Sequence, residues 1–169
     1  LLELFSRNGI GTLITEDNYD LVRQAKIDDV GGIFEIIEPL EREGILVRRS
    51  REILEIEIEH FTVMERDGMI IACTAATYYP EDNLTELGCL AVHPDYRHQN
   101  RGDLLLSIIE KQSLRNGIDR LFVLTSQTSH WFAERGFKQG SINDLPLKKQ
   151  SLYNYQRNSS VFIKTIDQK

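Results

Sequence analysis

Apolar and polar positions alternate along this chain in short blocks that change period several times. Residues 22–25 (Val-Arg-Gln-Ala) read as a first strand. Ile33, Phe34, Ile36 and Ile37 then recur on one helical face, with Asp28 or Asp29 placed to cap that helix and Pro39 near its end. Leu54, Ile56 and Ile58 alternate with Glu55, Glu57 and Glu59, which by period alone says strand. Leu54, Ile58 and Phe61 also share a helical face, however, and Ser50 is a fair N-cap. Glutamate-rich runs favour helix, so residues 51–59 are expected to be helical. Residues 61–65 and 69–78, joined at Asp67-Gly68, predict a hairpin. Residues 85–92 form the next strand, and the helix after Gly102 stops at Asn116-Gly117. A buried strand at 121–124 and a short helix at 129–135 ending on Gly136-Phe137 follow. Residues 138–158 are polar and irregular, ahead of a last strand at 161–163. At the front, residues 1–5 read as a short apolar element and 6–12 as a glycine turn. From residue 21 onward the order is β-α-α-β-β-β-α-β-α-β, an α+β arrangement.

Composition narrows the function classes. The chain has 169 residues, 41% hydrophobic and 27% charged, enough for one domain with a substantial core. No apolar run approaches the roughly 18 residues that span a bilayer, and the opening Leu-Leu-Glu-Leu-Phe lacks the basic start of a signal peptide. A net charge of −6 argues against nucleic acid as a main partner, so no nucleic-acid or membrane partner is expected. Cys73 and Cys89 both lie in strand-like apolar runs and fit small buried hydrophobes in a reducing cytosol, which makes a cytoplasmic location the expectation. His60, His93, His98 and His130 show no zinc-site spacing, so no metal is expected.

The most informative stretch is residues 88–106, where an apolar strand enters a short polar loop that passes through Gly102 directly into an amphipathic helix. Such a turn makes a phosphate cradle: the first helical N–H groups lack intrahelical partners, and the macrodipole puts partial positive charge there. Arg97 and Arg101 flank the cradle and could meet diphosphate charge. Any strand-to-helix turn shares this layout, and the wording of the loop adds the specificity. Arg97-His98-Gln99-Asn100-Arg101-Gly102 resembles the (Gln/Arg)-x-x-Gly-x-(Gly/Ala) signature of the GCN5-related N-acetyltransferases (GNAT), which wrap the pyrophosphate of acetyl-CoA. Asn100 stands where that signature has its first glycine, and Asn tolerates left-handed backbone angles better than most residues with a Cβ.

The resemblance spans residues 21–166 and implies the GNAT fold, a mixed central sheet of six to seven strands flanked by about four helices, with acetyl-CoA as co-substrate. It implies cofactor contacts from Cys89, Leu90, Ala91, Val92, Arg97, Gln99, Asn100, Arg101, Gly102 and Asp103, together with Gln127 and Phe132. The strand holding Cys89, Leu90 and Val92 would pair its backbone with the pantetheine arm, and an N–H near Cys89 or Leu90 would polarise the thioester carbonyl. An amino-acid amine must lose a proton before it attacks. Glu86, entering that strand, is on its own an exposed strand-end glutamate; the family match makes it the candidate general base. Where many GNAT enzymes have a tyrosine acid, four residues before Gly136, this chain has Phe132, which has no proton to give. Thr125 then becomes the candidate acid, or simply a polar cap at a strand end.

Basic residues point to the acceptor. Arg48-Arg49-Ser50-Arg51 precedes the second helix and Arg157 precedes the last strand; two guanidinium forks suit a dicarboxylate. The strings Gly44-Ile45-Leu46-Val47-Arg48-Arg49-Ser50-Arg51-Glu52, Leu121-Phe122-Val123-Leu124-Thr125, His130-Trp131-Phe132-Ala133-Glu134-Arg135-Gly136-Phe137 and Tyr153-Asn154-Tyr155-Gln156-Arg157 resemble the acetyltransferase domain of the bacterial N-acetylglutamate synthase family. That resemblance implies acetyl transfer from acetyl-CoA to the α-amine of L-glutamate, the opening step of arginine biosynthesis. Arg49 and Arg157 would bind the glutamate carboxylates, with Ser159 and the backbone near Val47 assisting and Arg48 as the alternative to Arg49. The family carries an amino-acid-kinase-like domain ahead of this one. Residues 1–15 are therefore expected to be a remnant of it, residues 16–169 the GNAT domain, and the longer enzyme an oligomer. Two alternatives stay open: a GNAT enzyme for another amine, for which a cationic acceptor would call for an acidic pocket, and a non-catalytic acetyl-CoA-binding module. The missing tyrosine favours the module, and Glu86 speaks against it.

Overall fold

Asp67 and Gly68 sit at φ 51° and 80°, the left-handed pair that a two-residue hairpin turn requires. They join β4 (Phe61–Arg66) to β5 (Met69–Tyr79) where the sequence predicts the hairpin. The computed structural model describes residues 2–5, 11–14, 20–152 and 159–167. The chain divides into two compact units, Leu1–Ala76 with Cys89–Ile108, and Thr77–Gly88 with Ile109–Lys169.

In the first unit β1 (Leu2–Phe5), β2 (Gly11–Ile14), β3 (Leu21–Gln24), β4 and β5 pair antiparallel in chain order. Gly11 and Thr12, expected in a glycine turn, lie in β2, because their backbone groups pair with Phe5 and Leu4. Leu13 and Ile14 in turn pair with Val22 and Leu21, so the domain boundary expected after residue 15 falls between two paired strands. Helix α1 (Val30–Arg42) buries Val30, Ile33, Ile36 and Ile37 in a core shared with Leu54, Phe61, Val63, Cys73 and Ala91. Asp29 is its N-cap residue, but the carboxylate is spent elsewhere: it accepts from Lys26 N at 2.7 Å and from the Arg23 fork at 2.7 and 2.9 Å. The bond from Arg23 holds the Asp29 carboxyl below the usual carboxylate range. Helix α2 (Arg51–Glu57) runs on as a 3-10 turn to His60, and Ser50 Oγ caps it by accepting from Ile53 N at 3.3 Å. Of the two competing periods the helical one wins, since Leu54 is buried while Ile53 and Ile56 face solvent.

In the second unit the front of β6 (Leu84–Val92) runs parallel to β7 (Arg120–Thr125), a pairing that needs the long helical connection supplied by α3 (Arg101–Arg115). Gly117 at φ 74° ends α3 as predicted. Strand β7 pairs antiparallel with β9 (Ser160–Thr165) over six residues, and β8 (Lys138–Gln139) adds to β9. Leu84, Phe122, Leu145 and Val161 fill the core. Helix α4 (Ser129–Ala133) is shorter than predicted. The stretch 138–158, expected to be irregular, contains β8, a 3-10 turn at Ile142–Asp144 and α5 (Leu147–Leu152). Its polarity hid a regular backbone, and among the described residues of the stretch Leu145 and Pro146 are the buried ones. Among the described residues β3 to β9 make the seven strands of the expected fold, preceded by β1 and β2, and α5 is a fifth helix. No helix among them is long and apolar enough to cross a membrane.

Candidate functional site

The loop that leaves β6 is shaped mainly by its own backbone. His93 N donates to Ile71 O at 2.8 Å, and Pro94–Tyr96 then form a 3-10 turn in which Tyr96 N returns to His93 O at 2.9 Å. His98 and Asn100 follow at φ 67° and 60°. Left-handed residues on either side of Gln99 reverse the backbone twice, the alternation that turns successive N–H groups toward one concave side. Leu104 N is bonded to Asn100 O at 3.0 Å, so the N–H groups just ahead of it belong to the opening turn of α3. Asn100 thus adopts the backbone that the glycine of the signature would supply. Arg97 is exposed, its Nε donating to Val92 O at 3.1 Å. The Arg101 side chain corrects its expectation. It is buried, donates to Asp20 at 2.9 Å, and offers the loop's outer face only its backbone. Gly102 and Asp103 complete the turn, half-buried like Leu90 and Val92.

In the same unit Cys89 occupies φ 49°, a left-handed break within β6, and both Cys89 and Ala91 turn into the core. Cys73 Sγ points to Cys89 O at 3.5 Å, and burial pushes the Cys73 thiol well up. Arg49 reaches Cys89 Sγ with Nη1 at 2.8 Å, holds Val47 O and Glu57 Oε2 at 3.4 Å each, and donates its own N–H to Glu41 Oε1 at 2.9 Å. The structure therefore brings Val47, Arg49 and Cys89 together, with the guanidinium half-buried. Arg48 and the Val47 side chain face solvent.

In the second unit Glu86 is the last β6 residue in register with β7, opposite Phe122. Its carboxylate meets Lys149 Nζ at 2.9 Å, with side-chain exposures of 18% and 26%, so the pair is partly shielded from water. The Tyr79 phenol stands near the same carboxylate, and burial, with the Glu86 charge behind it, pushes its pKa up to about 12. Thr125 is buried at the end of β7; its Oγ1 accepts from Thr128 N at 3.0 Å and lies 2.7 Å from Thr128 Oγ1. That is the cap geometry, which occupies the hydroxyl without removing its proton. Phe132 packs edge-on between Trp131 and Phe137 at 5.0 and 5.2 Å between ring centres, a core position rather than a surface one. Gln127 is exposed and Ser159 buried. Arg157 lies outside the described residues. Among the described residues no group of three or more His, Cys, Asp or Glu could hold a metal ion.

Residues 57–139 match the family model described as an acetyltransferase (GNAT) domain. The chain belongs to the GNAT acetyltransferases. Amino-acid acetyltransferases of Pseudomonas fluorescens strain Pf0-1 and of Mannheimia succiniciproducens are 55% and 51% identical to this GNAT domain over 98% and 99% of its length. It spans 38% of the length of each of these relatives. The N-acetylglutamate synthase of Neisseria gonorrhoeae, solved with coenzyme A and N-acetyl-glutamate, superposes with a TM-score of 0.85 at 37% identity, over 91% of this chain and 37% of that one.

Two neighbours of the GNAT site residues escape the sequence. Lys149 and Tyr79 stand at Glu86, yet Lys149 lies in a stretch that reads as irregular and Tyr79 closes a strand like any aromatic. Asp20, beneath the loop, is 81 residues from Arg101, and no local pattern connects them.

Proposed function

We propose that this GNAT domain transfers the acetyl group of acetyl-CoA to the α-amine of L-glutamate. The loop geometry carries the reading: left-handed His98 and Asn100 leading into the first turn of α3 form the backbone cradle that a pyrophosphate needs. The strand that feeds the loop also bears Glu86, so one element supplies both a carboxylate and the backbone around Cys89 and Leu90. In this reading Glu86 takes a proton from the glutamate ammonium, directly or through a water. The freed amine attacks the thioester carbonyl, and N–H groups near Cys89 and Leu90 stabilise the oxyanion. The C–S bond breaks while the new C–N bond stays, and the extra proton still on the nitrogen passes through Thr125 or water to the departing thiolate. Arg49 serves one glutamate carboxylate, supported by its half-buried fork beside Val47 O. Arg157 and Ser159 serve the other by family resemblance, and residues 1–15 close a preceding domain on the same ground.

Free-thiol release from acetyl-CoA, assayed with each of the twenty amino acids, tests the reading. Glutamate should be the preferred acceptor. Equal release with a neutral or basic amino acid removes the glutamate assignment, and no release with any of them removes the catalytic one.

A further inference from the structure

Arg101 opens α3 with its guanidinium turned inward, where its side chain is only 2% exposed, as is that of Asp20 just ahead of β3. Nε meets Asp20 Oδ2 at 2.9 Å, while Nη1 reaches back into the loop, to Tyr96 O at 2.9 Å and Gln99 Oε1 at 2.6 Å. The Tyr96 ring lies 5.2 Å from the same guanidinium carbon, with the Arg66 guanidinium 5.9 Å from that ring and 3.8 Å from Asp20. The pairing is incomplete. Among the described residues Asp20 Oδ1 and Arg101 Nη2 have no hydrogen-bond partner. A buried ion pair with an unsatisfied atom on each side is a poor way to gain stability, and apolar side chains of similar volume usually serve as well or better. What apolar side chains cannot do is donate to Tyr96 O and Gln99, which lie on either side of His98, with Gln99 immediately before Asn100.

We infer that Asp20 is a positioning residue for the cofactor loop. It orients Arg101 from below, and Arg101 in turn pins the loop in the left-handed form that binds pyrophosphate. This rests on the reading of residues 97–103 as the acetyl-CoA loop. The first arm of the test asks about affinity. Asp20→Asn should raise the KM for acetyl-CoA and the Kd for coenzyme A about tenfold or more, while kcat at saturating acetyl-CoA stays within about threefold. The second arm separates positioning from stability. The apolar pair Asp20→Leu with Arg101→Met should melt at or above the wild-type temperature and still show the same loss of coenzyme A affinity. The third arm needs no ligand: amide exchange at residues 97–103 should accelerate in Asp20→Asn while β4 and β5 stay protected. Coenzyme A affinity within twofold of wild type in the apolar pair, or unchanged exchange in Asp20→Asn, overturns the inference. A wild-type protein that does not bind coenzyme A overturns the acetyl-CoA reading instead, and the exchange measurement still decides whether Asp20 holds the loop.

Discussion

The loop after β6 and the surroundings of Glu86 are built in opposite ways. Most bonds that shape the loop span a few residues: Tyr96 N to His93 O, Asp95 N to His93 Nδ1, Arg97 Nε to Val92 O, Leu104 N to Asn100 O. Glu86 instead meets Lys149 from α5, far away in the sequence, beside Tyr79 at the end of the neighbouring β5. A cradle made of backbone is more sensitive to a change of φ than to a change in an outward-facing side chain. A carboxylate held by side chains can be retuned by substitutions at positions that no motif marks.

The largest expected effect is at Glu86. Glu86→Gln keeps the shape, retains one acceptor oxygen for Lys149 and removes the base. Steady-state kinetics should show kcat lower by about 10²–10⁴-fold with coenzyme A affinity little changed. A kcat within threefold of wild type removes Glu86 from the reaction. Next comes Arg49, whose fork lies beside Val47 O and Cys89. Losing a charge-assisted contact to a carboxylate costs about 1.5–3 kcal/mol, so Arg49→Ala should raise the KM for glutamate about tenfold or more. Arg49→Lys should recover only part of this, because an ammonium cannot reproduce the planar fork. An unchanged KM for glutamate in Arg49→Ala transfers the role to Arg48.

Asn100 sharpens the contrast at somewhat smaller cost. At φ 60° Asn100→Gly should leave coenzyme A affinity at or near wild type, while a β-branched residue is strained there by about 1–3 kcal/mol. Asn100→Val should therefore weaken coenzyme A binding by calorimetry, and equal dissociation constants for the two variants would show that the cradle does not depend on this angle.

The same contrast explains what the sequence discloses. The hairpin at Asp67-Gly68, the α3 stop at Gly117 and the left-handed Asn100 are visible in advance because each follows from one residue's own backbone preference. Ser50 and the glutamates likewise settle α2 as a helix from within the segment. Arg101 is misleading for the converse reason. Beside a phosphate cradle an arginine reads as a phosphate ligand, and only Asp20, brought close by folding, turns it inward. The surroundings of Glu86 depend on α5, which the apolar pattern does not reveal, since among the described residues the burial is marked by Leu145 and Pro146, just ahead of it. The fold elements and the loop's backbone angles are local information; the Arg101–Asp20 contact beneath the loop and the setting of the carboxylate are not.

The smallest expected effect concerns that setting directly. In the unfolded chain Tyr79 titrates near 10, and in the folded protein burial and then the Glu86 charge hold its proton to about 12. The native state therefore binds this proton more tightly than the unfolded state does. Its contribution to stability is complete below about pH 10, falls as pH rises through the interval and is gone above about pH 12. Tyr79→Phe removes the titrating group, so its stability should decline less steeply than that of wild type across the same interval. The difference between the two melting temperatures should stay constant below pH 10 and shift in favour of the variant above it. Parallel melting curves from pH 8 to pH 12 would mean that the phenol is no better held in the folded state than in the unfolded one. The phenol would then do nothing to orient the carboxylate, leaving that to the ion pair with Lys149.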